Sequence, residues 1–300
     1  MVKSTLILAS CCFLGLWGIG ITVPPLTHAT EGRGSAPHID LAFEVLPADN
    51  FDSLLSRATG NFGLGKLGAY RLSGDFELAH RATTGSGLFP EDLYRLGLKL
   101  GAGNRLWRFS LGLASESDEP FDSSDEISLQ ASASREVARW ERSSLHLGLF
   151  YTTRFDYPLP TLVYTFADRD LFFMVGLPVA SVSWRIDERT TLKGSYVPVR
   201  RAKIALERTL SPTWSMALEG AIDEESYLVA GRRDKDDSLV LETRTVKVRA
   251  EKRIALLTLS AYGGFSFDGS FFREEGFGDR EDKVEFDDAW VAGANVRFAF

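Results

Sequence analysis

The chain has 300 residues, 44% of them hydrophobic, with 34 basic and 41 acidic side chains and a formal net charge of −7. That length allows one large β-domain or two small ones, and an acidic balance offers no footprint for nucleic acid. Past the N-terminal stretch no apolar run is long enough for a helical span, which argues against an inner-membrane helical protein.

Residues 1–29 read as a secretory leader. Lys3 supplies the positive start, Leu6 through Val23 the apolar stretch, and Thr27-His28-Ala29 a small-x-small cleavage site near Ala29. Leu8-Ala9-Ser10-Cys11 also fits a lipoprotein box, but the apolar stretch before it is too short. Cys11 and Cys12 are the only cysteines and both lie in the leader. The mature chain is therefore expected to hold no disulfide, thiolate zinc site or thiol nucleophile. Loss of Lys3 leaves 33 basic against 41 acidic residues, a net charge of −8.

Residues 30–65 are poorly patterned. Ile39 through Val45 alternates like a short strand, and Pro47 through Gly60 reads as loop or a turn of helix. The segment is periplasmic, plugs a lumen or adds strands to a wall, and the pattern does not choose. From Lys66 onward a period of two persists, the mark of strands. Tyr70, Leu72, Phe76 and Leu78 oppose Arg71, Ser73, Asp75 and Glu77. Leu96 and Leu98 oppose Arg95 and Lys99, and Phe109 and Leu111 oppose Arg108 and Ser110. Later, Val182 and Trp184 oppose Ser183 and Arg185, Leu192 opposes Lys193, and Ile204 and Leu206 oppose Lys203 and Glu207. Met216 and Leu218 oppose Glu219. Residues 238–250 resist assignment, because Val246 and Val248 point one way while Leu239 and Leu241 point the other.

The chain closes on a strand with Trp290, Val296, Phe298 and Phe300 on one face, and Arg297, Asn295 and Gly293 on the other. An apolar face with aromatic ends suits a barrel wall with lipid outside and a polar interior. The connections agree. Short ones fall near 101–104, 138–141, 187–189, 211–212 and 251–252. Longer ones fall near 81–90, 116–124, 154–177, 223–237 and 269–287. Outer-membrane barrels have short periplasmic turns and longer external loops. Trp107, Trp184 and Trp214 lie beside short turns, while Tyr94, Tyr151, Tyr196 and Trp290 fall toward the other ends, as two interfacial girdles would. The expectation is an all-β, transmembrane antiparallel barrel of about twelve strands (range about 10–14) over residues 66–300, in the outer membrane of a Gram-negative-type bacterium. A soluble periplasmic β-domain that binds a ligand is the rival fold reading.

Three stretches carry a family likeness: Val175 through Trp184, Leu210 through Trp214, and Tyr262 through Asp268. They resemble a family of bacterial outer-membrane β-barrel proteins catalogued as a domain of unknown function. The likeness spans roughly the C-terminal half, and its motifs are turn and strand residues. It implies a barrel in the outer membrane and supplies no catalytic residues. The terminal strand likewise resembles those by which such proteins engage the outer-membrane assembly machinery, with lipid and lipopolysaccharide as surroundings.

Candidate chemistry is sparse. His80, Asp122 and Ser123 fall on neighbouring outer segments and superficially resemble the lipid A palmitoyltransferase family, whose barrel is smaller. A serine needs a base within hydrogen-bond reach, however, and serine and aspartate are ordinary loop content. A lipid-modifying enzyme of acyltransferase or deacylase type is the alternative to a non-enzymatic barrel. The acidic run Glu274, Glu275, Asp279, Glu281, Asp282, Glu285, Asp287 and Asp288 lacks the fixed oxygen spacing of a calcium loop. Gly60 through Gly65 has glycines but no helical sequel, so neither cofactor nor metal is expected. The inward set holds eight bases, Arg71, Arg95, Lys99, Arg108, Arg185, Lys193, Lys203 and Arg297, against Asp75, Glu77, Glu207 and Glu219. Dry unpaired charge costs several kcal/mol per ion. The expectation is a narrow, partly filled lumen with weak anion preference, or a sealed one with a structural role.

Overall fold

The computed structural model describes residues 36–300, apart from 86–88, 154–156, 178, 198–200, 231, 233–236 and 276–278. The leader and its cleavage site near Ala29 lie outside the described residues. The first strands are β1 (His38–Ala48), β2 (Phe51–Leu67), β3 (Tyr70–Thr84), β4 (Asp92–Gly103), β5 (Trp107–Ser117) and β6 (Ile127–Arg139). Then come β7 (Ser143–Thr152), β8 (Leu159–Ala167), β9 (Leu171–Leu177), β10 (Ala180–Arg185), β11 (Thr190–Val197) and β12 (Arg201–Ser211). The last are β13 (Trp214–Tyr227), β14 (Ser238–Ile254), β15 (Leu257–Glu275), β16 (Asp279–Phe286) and β17 (Ala289–Ala299).

Strands β1 to β15 pair antiparallel in sequence order, β17 pairs with β15, and β1 pairs with β17, so the sheet closes on itself. β16 also pairs with β15, above β17, and the register Ser266↔Ala289 continues as Gly269↔Phe286 across Asp287 and Asp288. β16 and β17 thus share one wall position, and the barrel has sixteen. Closure gives every wall strand a ladder partner on both sides, which a lipid-facing sheet requires.

The expected strand number, about twelve, is too small. Four wall strands fall outside that number. β1 and β2 put residues 38–67 in the wall, so the barrel begins at His38 rather than Lys66. β2 is obscured by three glycines, and the register shifts between Gly63 and Gly65, where Gly65 takes φ +105°. β8 and β9 fall within what reads as the long loop 154–177. Phe172 and Met174 on one face of β9 oppose Phe173 and Val175 on the other, so period two leaves no polar trace. Likewise the loop at 269–287 is in fact the upper part of β15 and all of β16.

Residues 238–250 form a regular part of β14, apolar on opposite faces at different heights. Val246 and Val248 face outward at 44% and 49% exposure, while Leu239 and Leu241 point into a core at 4% and 1%. On the neighbouring β15 a bulge at Asp268, with φ +49°, flips the alternation so that Phe271 also turns inward.

Short turns at 68–69, 104–106, 140–142, 168–170, 186–189, 212–213 and 255–256 gather at one end of the barrel with both chain ends. Asn104 Oδ1 accepts from the N–H groups of Leu106 and Trp107, and Asp187 Oδ1 from those of Arg189 and Thr190. These side chains mimic backbone turns and let strands reverse in few residues. The outer face carries an apolar belt including Phe43, Leu98, Leu111, Leu147, Ile204, Leu218, Phe298 and Phe300, all exposed. Wall height is uneven. β14 and β15 run 17 and 19 residues, whereas β9, β10 and β11 run 7, 6 and 8.

Candidate functional site: the lumen and its two ends

Two opposite points of the wall meet across the mouth. Ser117 at the end of β5 bridges Leu228, just past β13, and Asp118 Oδ1 accepts from the Ala230 N–H at 2.8 Å. β5 and β13 stand eight places apart in a ring of sixteen, so the contact crosses the full diameter. Beside it, on the β14 to β4 side, sits an apolar core of inward side chains. It includes Leu46, Phe51, Phe89, Leu93, Tyr227, Leu241, Phe271 and Phe286. The Phe51 ring lies 5.1 Å from that of Phe286 and 5.8 Å from that of Phe271.

A polar strut runs beneath this core. Glu225 on β13 accepts from Arg81 at 2.9 Å, from Arg57 at 3.4 Å and from the Tyr227 hydroxyl at 2.7 Å. Arg81 also donates to Ser53 Oγ at 2.6 Å. Arg95 pairs with Glu116 at 3.0 Å and lies over the Tyr227 ring at 5.4 Å. Arg57 reaches Glu77 at 3.3 Å. Strands β2 to β5 are thereby tied to β13. Breaking a buried, hydrogen-bonded pair of this kind strands a charge and is strongly destabilising.

A second network lines the lower lumen. Glu207 receives Lys193 at 2.6 Å and Arg249 at 3.1 Å, and Glu219 receives Arg249 at 2.7 Å and Lys203 at 2.9 Å. Glu44 takes Lys247 at 2.6 Å and the Tyr262 hydroxyl at 2.7 Å, and Asp40 takes Arg297 at 2.7 and 3.0 Å. All of these groups except Glu44 and Asp40 border a cavity of about 770 Å³ walled by β8 to β15, β17 and β1, with eight bases and four acids among its lining residues.

Seven of the twelve inward candidates, Glu77, Arg95, Lys193, Lys203, Glu207, Glu219 and Arg297, sit in these ion pairs. Asp75 accepts from Asn61 Nδ2 at 2.6 Å, and Arg185 meets Asp170 at 3.6 Å near the short turns. Arg71, Lys99 and Arg108 are exposed at that same end. The inner face also carries charges beyond those twelve. Asp40 and Glu44 sit on β1, Glu116 and Glu225 in stretches read as loops, and Arg249 and Lys247 on the strand that resisted assignment. Period two on β1 already hinted at Asp40 and Glu44.

The His80 side chain bonds Asp92 Oδ1 at 2.7 Å and stacks on Tyr94 at 4.9 Å. Asp122 offers its backbone N–H to Glu126 Oε2, and Ser123 leads into the short 3-10 turn Ser124–Glu126. No hydrogen bond among the described residues joins His80, Asp122 and Ser123. Burial raises the Glu126 carboxyl above the ordinary glutamate range. His146 Nε2 lies 3.1 Å from Ser144 Oγ. Gly60 to Gly65 belong to β2, and a Cβ at Gly60 would run into the Phe76 ring. In the acidic run, Glu285 pairs with Lys283, and Arg280 on β16 reaches back to Glu224 and Glu242. Among the described residues no group of three or more histidine, cysteine, aspartate or glutamate side chains is arranged to hold a metal.

No family model matches the chain, and neither does any curated protein. Solved structures similar to it include an outer membrane channel from Pseudomonas putida F1, at 12% identity and a TM-score of 0.38, covering 90% of this chain and 97% of that one. OmpT, an outer membrane protein of Vibrio cholerae, is 11% identical at a TM-score of 0.36, covering 91% and 100%. CdiB from Acinetobacter baumannii is 10% identical at 0.43, covering 89% of this chain and 60% of that one.

Proposed function

We propose that this protein is an outer-membrane barrel that passes small solutes through a narrow lumen with weak anion preference, and that it is not an enzyme. The observation that carries the reading is the cavity inside the wall, bordered by eight bases and four acids. Three further acids, Asp40, Glu44 and Asp223, pair with Arg297, Lys247 and Arg201 and keep the preference weak. The apolar belt outside and the charged surface inside support the membrane setting. The core and strut under the mouth support a conductance well below that of a general porin. His80 finds its carboxylate in Asp92 on the next strand, which favours a structural role for that histidine.

Planar-bilayer recording under a potassium chloride gradient tests the reading. Small currents with a reversal potential favouring chloride are expected. A cation-selective potential contradicts it, and absence of any current points to a sealed, structural barrel. His80→Ala and Ser123→Ala are expected to leave the lipid A profile unchanged; a lost acyl group by mass spectrometry in either variant would restore the enzyme.

A further inference from the structure

The low side of the barrel has a geometric consequence. A strand rises about 3.4 Å per residue, and tilted by about 40° the six residues of β10 climb about 15 Å, against an apolar band of about 25 Å. A spanning strand needs about 9–11 residues. β9, β10 and β11 all fall short, side by side, at 7, 6 and 8.

The cavity reaches this lip. It is bordered by inward residues of the short strands, Phe172, Met174 and Ser181, and also by Ala180, Val182 and Tyr196, which alternate to the opposite face. Tyr196 is exposed toward the outside. The cavity wall is also chemically divided: Phe172 and Met174 on β9 are apolar, and β11 and β12 carry Lys193 and Lys203, whose ammonium groups also meet Glu207 and Glu219. Between them Ser181, only 6% exposed, holds an Oγ with no hydrogen-bond partner. A buried unpaired hydroxyl in a polar cavity is a place where a ligand oxygen is wanted.

We infer that the cavity takes an amphiphilic anion, an alkyl chain ending in a carboxylate, and exchanges it with the bilayer over the low wall formed by β9, β10 and β11. The chain lies against Phe172 and Met174, and the head group meets Ser181 and the lysines. A solute-sized anion needs only the charged side of the cavity; the apolar side and the low lip are explained by a lipid-like one. The inference rests on the membrane placement proposed above but not on ion conduction.

The test uses the refolded protein in phosphatidylcholine vesicles with the fluorescent long-chain carboxylate cis-parinarate. Saturable binding is expected, displaced by palmitate and unaffected by inorganic phosphate. Phe172→Asp and Met174→Asp should weaken it at least tenfold. Ala180→Trp and Val182→Trp, which fill the lip, should slow both uptake from the bilayer and release to it at least tenfold. Displacement by phosphate as effective as by palmitate, or aspartate variants that bind like the wild type, would overturn the ligand. Unaltered uptake in both tryptophan variants would overturn the lateral route. Heat-modifiable gel mobility reports folding of each variant. Failure of the wild type to insert in vesicles defeats the membrane reading before any probe is added, whereas binding without ion current defeats only the pore.

Discussion

The two sides of the barrel solve the same problem in opposite ways. From β13 round to β3 the strands run 11 to 19 residues, apart from the divided β16 and β17, and their upper ends bury inward phenylalanines and leucines against one another. From β8 to β11 they run six to nine residues and form the low side of the cavity, whose other side is the lower part of β13 to β15, β17 and β1. At the upper end of the tall side the interior is packed, so its apolar contacts stabilise and its buried charges must be paired, as Glu225 pairs Arg81. On the low side the charges border open space. One wall therefore supplies rigidity and the other supplies room, and a plug domain is not needed to narrow the mouth.

The sharpest way to break that contrast is a matched pair of truncations. Phe51→Ala opens the packed core and should cost about 3–5 kcal/mol, whereas Phe172→Ala, facing the cavity, should cost about 1 kcal/mol. Equal costs in a urea refolding titration would show that the low side is as tightly packed as the tall one.

Glu225→Gln tests the strut and should also cost about 3–5 kcal/mol, since Arg81 and Arg57 lose their shared carboxylate. It should raise the bilayer conductance by loosening the mouth. A variant as stable and as quiet as the wild type would mean that the strut does not hold the two halves together.

Smaller effects come from the wall itself. Leu111→Arg and Leu147→Arg fall in the outer apolar belt and, in the proposed membrane setting, should each cost about 2–4 kcal/mol if near the midplane, with Ser110→Arg on the inner face costing less. Equal costs on both faces would reverse the assignment of inside and outside.

The smallest effect lies in the turn between the short strands β10 and β11. The N–H groups of Arg189 and Thr190 hold the Asp187 carboxyl below the usual aspartate range. A depressed folded-state pKa stabilises above the unfolded value and loses that stabilisation as pH falls through the lowered one. Asp187→Ala should therefore be less stable than the wild type at neutral pH, and the gap should close in acid. A gap independent of pH would place the effect in turn geometry rather than charge.

The residue pattern by itself determined the class of fold. Period two, the alternation of short and long connections and the aromatic terminal strand are local properties, since each can be read from neighbouring residues along the chain. That is why Leu111, Leu147, Ile204 and Phe298 were assigned outward from alternation alone, and Arg95, Lys193, Glu207 and Glu219 inward. Strand number was not local in this sense. β9 is apolar on both faces and β2 is bulged at its glycines, so neither shows the contrast that alternation reads. The partners of the inward charges were less legible still. Glu225 meets Arg81 and Arg57 from across the barrel, 144 and 168 residues away along the chain, and no periodicity reports on a contact made through the lumen. The tall side, the low side and the cavity between them follow from strand lengths set against ring position. Only closure of the sixteen-position wall fixes which lengths become neighbours.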